Sequence, residues 1–360
     1  MKYLIRSICL LMPLTAVCQD GRPEKELIPY DVKRIARITG RTLPGENLPN
    51  PNHTDELYDL GGTDLGIAWE MGGGKTGFFF GDSYGADFKV IKAGGPGNAG
   101  HWRSNVLGIS SDNLLDDGIR FDSMFTKKQI IHSSHIIDGT DSHTAIPTAA
   151  IHINGKDYVH YMDIRKWGEA GRWTTNFSAL YSSSDQGKNW IPHTEIHFRA
   201  TSNFAQAAYA KQDGYVYMAA TISGRAGAVY LARFKETDML NQTAYQYWNR
   251  SNGWVTNNEA AATAIIDTRA GELSIVYHSL YKQWIITYLS GKQELVMRSA
   301  AEITGPWSKE QVLATSKEYP GLYGAFIHPA KLNGRELYFM MSMWWPYNVF
   351  LMKVSLRTAE

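Results

Sequence analysis

From Leu60 onward, apolar and aromatic residues fall in short alternating runs separated by Gly, Asn and Asp, the pattern of half-buried strands joined by turns. Ile67–Trp69 and Phe78–Phe80 flank Gly72, Gly73 and Gly74 and predict a hairpin. Asn154-Gly155, between Ala149–Ile153 and Tyr158–Asp163, is a favoured two-residue hairpin turn. Similar groups recur: Ala179–Ser183; Tyr215–Ala220 after Asp213-Gly214; Val229–Phe234; Leu273–His278 with Trp284–Leu289 and Leu295–Ser299; and Gly324–Pro329, Leu337–Trp344 and Val349–Val354 around Asn333-Gly334. No long segment shows helical periodicity; Ala260–Ile266 is the best helical candidate, and a weak one.

The groups repeat near 62–110, 147–190, 205–248, 271–313 and 322–356, spacings at which a propeller is to be considered. The sequence therefore predicts an all-β, five-bladed β-propeller with a central funnel over 60–360; a pair of β-sandwiches is the alternative, with too few units. Ser183–Trp190 fits the S-x-D-x-G-x-x-W Asp-box turn, which makes Asp185 structural. Residues 19–59, rich in Pro, Gly and charge, read as a leading segment with one edge strand over Val32–Ile38.

Residues 1–18 change the picture of location. Lys2 and Arg6 precede the apolar run Ile8–Val17, which predicts an export signal too short to span a membrane and a periplasmic, cell-surface or secreted protein. Cleavage after Cys18 is favoured over a lipid anchor on Cys18, because Val17 departs from the small residue of a lipoprotein box. Cys9 and Cys18 are the only cysteines, so the exported chain has no disulfide framework and no thiol nucleophile. With 36 Lys+Arg against 35 Asp+Glu, no basic excess points to nucleic acid. There is no P-loop, dinucleotide fingerprint, nucleophile elbow or zincin helix, and no cofactor or metal is expected. His132, His135, His143, His152 and His160 lack the spacing of a metal site.

Carboxylates remain as candidate chemistry. Asp64 precedes one strand of the first hairpin and Asp82 follows the other, so the hairpin brings them to one end of a sheet. Each is a candidate acid or base, with turn formation as the plainer alternative. Glu272, near the start of a strand expected to line the funnel, can face Asp64; Asp163 and Glu259 are weaker candidates. Tyr84, Trp102, Trp167, Trp173, Trp344 and Trp345 fall at strand ends or in loops, where aromatic faces can stack on sugar rings. Carboxylates around an aromatic funnel suit glycoside hydrolysis.

Gly-Thr-Asp64-Leu-Gly followed by Phe-Gly-Asp82-Ser resembles a bacterial family of secreted five-bladed propellers, long a domain of unknown function and now classed with endo-D-arabinofuranases (endo-D-arabinanases). Trp102-Arg103-Ser104-Asn105, Ile146-Pro147-Thr148, Gly271–Tyr277 with Trp284, and Gly305-Pro306-Trp307 add to the likeness. The resemblance implies cleavage of internal D-arabinofuranosyl linkages, as in mycobacterial arabinogalactan and lipoarabinomannan, with Asp64 and Asp82 as acid and base in an order left open. By analogy with related furanosidase propellers it implies inversion. It also implies Glu272 as a third catalytic or sugar-contacting group and substrate contacts from Arg103 and Asn105, to which Trp102, Tyr84 and His278 are added as candidates. The rival readings are a non-catalytic glycan-binding surface propeller and a protein-interaction scaffold.

Overall fold

A computed structural model describes residues 25–96 and 100–359. The segment predicted as an export signal, with Cys9 and Cys18, lies outside these residues. The described chain is all-β, as expected, with helix confined to single turns.

Four antiparallel sheets form. The first joins Leu65–Gly72, Lys75–Phe80, Val106–Ser110 and Ser123–Phe125. The second joins Thr144–Ile153, Lys156–Trp167, Trp173–Ser183 and Ile191–Arg199. A nine-stranded sheet holds two groups: Gln206–Gln212 to Gly253–Thr256, and Ile266–His278 to Gln311–Thr315. They join where Gly227–Lys235 pairs briefly with Ile266–His278. The last sheet runs from Leu322–Ile327 through Glu336–Met343 and Asn348–Thr358 to Leu27–Arg37. Leu65–Gly72, Thr144–Ile153, Gln206–Gln212, Ile266–His278 and Leu322–Ile327 pack successively, and the last returns to the first, so these strands close a ring.

Local chemistry explains the hairpins. Gly73 and Gly74 adopt φ of 62° and 75°, and Asn154-Gly155 and Asp213-Gly214 likewise have positive φ at both positions, the geometry whose twist matches the flanking strands. At the Asp box, Asp185 Oδ1 accepts from the Asn189 amide at 2.9 Å, and Trp190 packs edge-on against Phe79. The helix considered at Ala260–Ile266 is instead one 3-10 turn, Glu259–Ala261, followed by a strand starting at Ile266. Tertiary pairing of that apolar run outweighs its slight helical tendency.

The leading segment is not an appendage. Its strand runs over Leu27–Arg37, begins earlier than the sequence suggests, and pairs antiparallel with Asn348–Thr358, so both ends of the described chain share the last sheet. The fully buried Arg37 locks this closure. Its guanidinium donates to both oxygens of Glu46 at 2.7 and 3.0 Å and to Asn348 Oδ1 at 2.8 Å, beneath the Phe350 ring. Asn348 donates in turn to the Gly61 carbonyl at 3.2 Å, three residues before Asp64.

Replacing Glu46 with Gln leaves the Arg37 charge buried without its counter-charge. The variant is expected to lose about 3–5 kcal/mol of unfolding free energy. The Arg37→Met/Glu46→Leu double variant is expected to regain most of it; urea denaturation of both checks this, and equal loss in the two would show that the charge itself is not the cause.

Candidate active site

The first hairpin sets the site. Leu65 pairs with Phe80, so Asp64 and the Gly81-Asp82 pair emerge side by side, and the Gly81 amide donates to the Asp64 carbonyl at 3.2 Å. A register shift follows: Leu65 and Gly66 have φ of 70° and 79°, the signature of a bulge that re-aims the residue beside it. Gly66 is required there, since a Cβ would lie 3.0 Å from Met340 and Val349 in a left-handed conformation. Gly81 permits close approach instead: a Cβ would stand 2.3 Å from Asp64 Oδ1.

Both carboxyls line a cavity of about 500 Å³ at the centre of the strand ring. Every inner strand contributes: Asp64 and Leu65, Ile146–Thr148, Gln206, Glu272 and Leu273, and Leu322, Tyr323 and Phe326. The walls are largely apolar. Trp167, Trp173 and Trp344 stand at the mouth, Trp344 45% exposed. Of the residues singled out in the sequence, Asp64, Asp82 and Glu272 all line this one cavity.

The environments of the two aspartates differ. Asp82 Oδ1 accepts from Thr144 Oγ1 at 2.6 Å and from Trp102 Nε1 at 2.9 Å. Burial pushes its pKa up to about 6, against the pull of these two donors. Asp64 Oδ2 accepts from the Tyr323 hydroxyl at 2.9 Å, with the Tyr347 hydroxyl a weaker second donor, and its Oδ1 is shut from solvent. Burial first, then the charges of Asp82 and Glu272, push Asp64 up to about 7, against the Tyr323 hydrogen bond. Asp64 is therefore the group that keeps its proton longer, and Asp82 is the one better provided for as an anion.

Glu272 lies on the same wall but is paired. Arg225 Nη2 donates to Oε1 at 2.7 Å, and Nε reaches Oε1 and Oε2 at 2.9 and 3.2 Å. The guanidinium also lies over the Tyr323 ring, 5.1 Å from its centroid. This two-pronged contact fixes the Glu272 side chain beside Asp64.

The candidate substrate contacts sort differently. Trp102 is spent on Asp82, and one face of its indole is stacked on His135 at 4.0 Å. Tyr84 packs behind the carboxyls against Phe88 and Tyr347, outside the cavity lining. Arg103 and Asn105 hold backbone, not ligand. Arg103 pairs in a bridge with Ser83 and donates to the Asp59 and Thr126 carbonyls at 2.9 Å. Asn105 donates to the Ile131 and Ala145 carbonyls and accepts from the Ile130 and Ile131 amides, which uses its amide fully. His278, fully buried beside Tyr281, is also outside the lining. Asp163 accepts from Asn176 and Glu259 from Ser202, both as structural partners. Sequence reasoning missed Tyr323, Arg225, Thr144 and Gln206. Tyr323 and Gln206 had a readable signal, each at the start of a repeat's first strand.

The chain is 29% identical over 331 residues to the notoamide biosynthesis cluster protein J of Aspergillus sp. (strain MF297-2), covering 84% of each. Among solved structures it is similar to a protein of Bacteroides ovatus ATCC 8483, provisionally termed a hydrolase: TM-score 0.55 and 15% identity, over 82% of this chain and 86% of that one, a likeness of fold. The catalytic domain of the Coprinopsis cinerea GH62 α-L-arabinofuranosidase aligns over 93% of this chain and 98% of its own at TM-score 0.48 and 9% identity, too loose to carry function. A domain of unknown function, DUF4185, matches residues 49–353, and the chain belongs to that family.

Proposed function

We propose that the protein is an exported five-bladed propeller acting as a glycoside hydrolase on internal D-arabinofuranosyl linkages of D-arabinan. The observation that carries this reading is the pair of buried carboxyls on one cavity with opposed surroundings, the requirement for acid and base to coexist near neutral pH. Asp64 is the acid: its proton passes to the glycosidic oxygen as the bond to C1 breaks. Asp82 is the base: it takes a proton from the water whose oxygen bonds to C1 from the opposite face. The anomeric carbon is inverted. Glu272, fixed by Arg225, holds negative charge near Asp64 and raises its proton affinity. Trp167 and Trp344 offer ring faces at the mouth. The furanosyl polymer is favoured by the paired-Asp motif, and export by the pattern of residues 1–18. A second reading, acid–base chemistry on a small molecule, is favoured by the Aspergillus relative's name and the apolar walls.

Incubation with mycobacterial D-arabinan, followed by chromatography of product size, separates these readings. Short oligosaccharides are expected from the wild type, with Asp64→Asn and Asp82→Asn each at least about 100-fold slower. Binding without products would sink the hydrolase in favour of a glycan-binding propeller; neither binding nor products would leave the small-molecule reading.

The rate should trace a bell in pH. It rises as Asp82 ionises near pH 6 and falls as Asp64 loses its proton near pH 7, both being apparent values of the coupled pair. Tyr323→Phe removes a bond that favours the Asp64 anion, so the alkaline limb is expected to move to higher pH with the acid limb fixed. A limb that stays put would take Asp64 out of the acid role.

Stability should carry the same signature. A folded pKa raised from 3.8 to about 7 makes Asp64's contribution fully present below about pH 4 and lost as pH rises through about 7. Asp64→Asn escapes this loss. Its advantage over the wild type in denaturant melts is expected to grow from pH 4 to pH 8, by on the order of a few kcal/mol.

A further inference from the structure

A second hollow, of about 700 Å³, opens between the 43–48 loop, Glu318–Pro320 and Trp345-Pro346, with Arg34 and Phe350 in its wall. Its charges are unevenly used. Arg37 is satisfied by Glu46 and Asn348, and Glu318 accepts from Thr315. Arg34 is held between the Tyr319 and Phe350 rings, 5.4 and 4.7 Å from their centroids, and makes one hydrogen bond among the described residues, from Nη1 to Met343 Sδ at 3.4 Å. A guanidinium has five N–H donors, so most of Arg34's remain for a ligand. Stacking fixes its plane, which lowers the entropy lost on binding. Beside it stands Trp345, 50% exposed.

The hollow and the cavity are lined by successive residues of one turn. Trp344 lines the catalytic cavity and the next residue, Trp345, lines the hollow. Trp345 and Arg34 line the hollow together, and Trp344 is itself exposed at the cavity mouth. We propose that this hollow is an accessory glycan-binding site that holds the polymer strand beyond the point of cleavage, with a sugar face on Trp345 and hydroxyl oxygens accepting from Arg34. The inference rests on the glycan-hydrolase reading and adds to it a preference for long chains.

The probe is polymeric D-arabinan. Affinity electrophoresis in an Asp82→Asn background measures binding without turnover, and kcat/KM on a short arabinofuranosyl oligosaccharide, in the otherwise wild-type enzyme, reports the cavity alone. Trp345→Ala and Arg34→Gln are each expected to weaken polymer binding about fivefold or more, the effect of losing one anchoring contact. The value of kcat/KM on the short oligosaccharide is expected to stay unchanged. Trp345, being half exposed, can be truncated without emptying the core, so its variant decides the matter if Arg34→Gln folds poorly. Undiminished polymer binding by Trp345→Ala, while the parent binds and the wild type cleaves, overturns the accessory site alone. No polymer binding by the parent together with no cleavage by the wild type overturns the hydrolase reading and this assignment with it.

Discussion

The site depends on the seam where the ring closes. Asp64 belongs to the first sheet by sequence, yet it is held by the last. The Thr63 amide donates to the Tyr347 carbonyl at 2.9 Å, the Leu65 amide to Ser342 Oγ at 2.8 Å, and the Tyr323 hydroxyl to Asp64 itself. Arg37, from the N-terminal strand, fixes Asn348, and Asn348 fixes Gly61. Chain closure and the placement of Asp64 therefore depend on the same contacts. A strand left unpaired at this seam would expose a sheet edge and also release the loop that carries Asp64.

Asp82 is held from the other side. The Ser83–Arg103 bridge and Asn105's four bonds fix the segment after the hairpin, while Thr144 and Trp102 reach the carboxylate from the second sheet and the 101–105 loop. Because different sheets support the two carboxyls, their surroundings can differ. Two donors favour the anion of Asp82. Deep burial, a shut-off oxygen and two neighbouring negative charges favour the proton on Asp64. Burying both costs stability at neutral pH, and the left-handed Leu65 adds backbone strain; local rules are broken where function is concentrated.

This division explains what the chain disclosed in sequence. Features set by neighbouring residues were legible: the Gly73-Gly74 turn, the Asp box, and the convergence of Asp64 with Asp82, which needs only one hairpin. Partnerships across the ring were not. Tyr323 lies 259 residues from Asp64, and Arg225 lies 47 from Glu272. Arg103 and Asn105 misled for a related reason: a polar residue beside an active carboxylate looks the same in sequence whether it faces a ligand or ties down the backbone. The leading strand was legible near Val32–Ile38, but its pairing was not, because its partner is the far end of the chain.

The separation of chemistry from walls also bears on how far the fold can be reused. The carboxyls and their donors come from strand ends packed at the seam and the neighbouring sheet. The mouth, by contrast, is built by the Trp167–Trp173 hairpin tip, the Pro96 loop and Trp344. Lengthening or exchanging such surface loops costs little, since loop-closure entropy grows slowly with length. The aspartate pair tolerates no such change without loss of its graded environments. A relative with other loops can thus keep the acid–base pair and meet a different molecule. That physical asymmetry assigns the choice of bound molecule to the loops at the mouth rather than to Asp64 and Asp82.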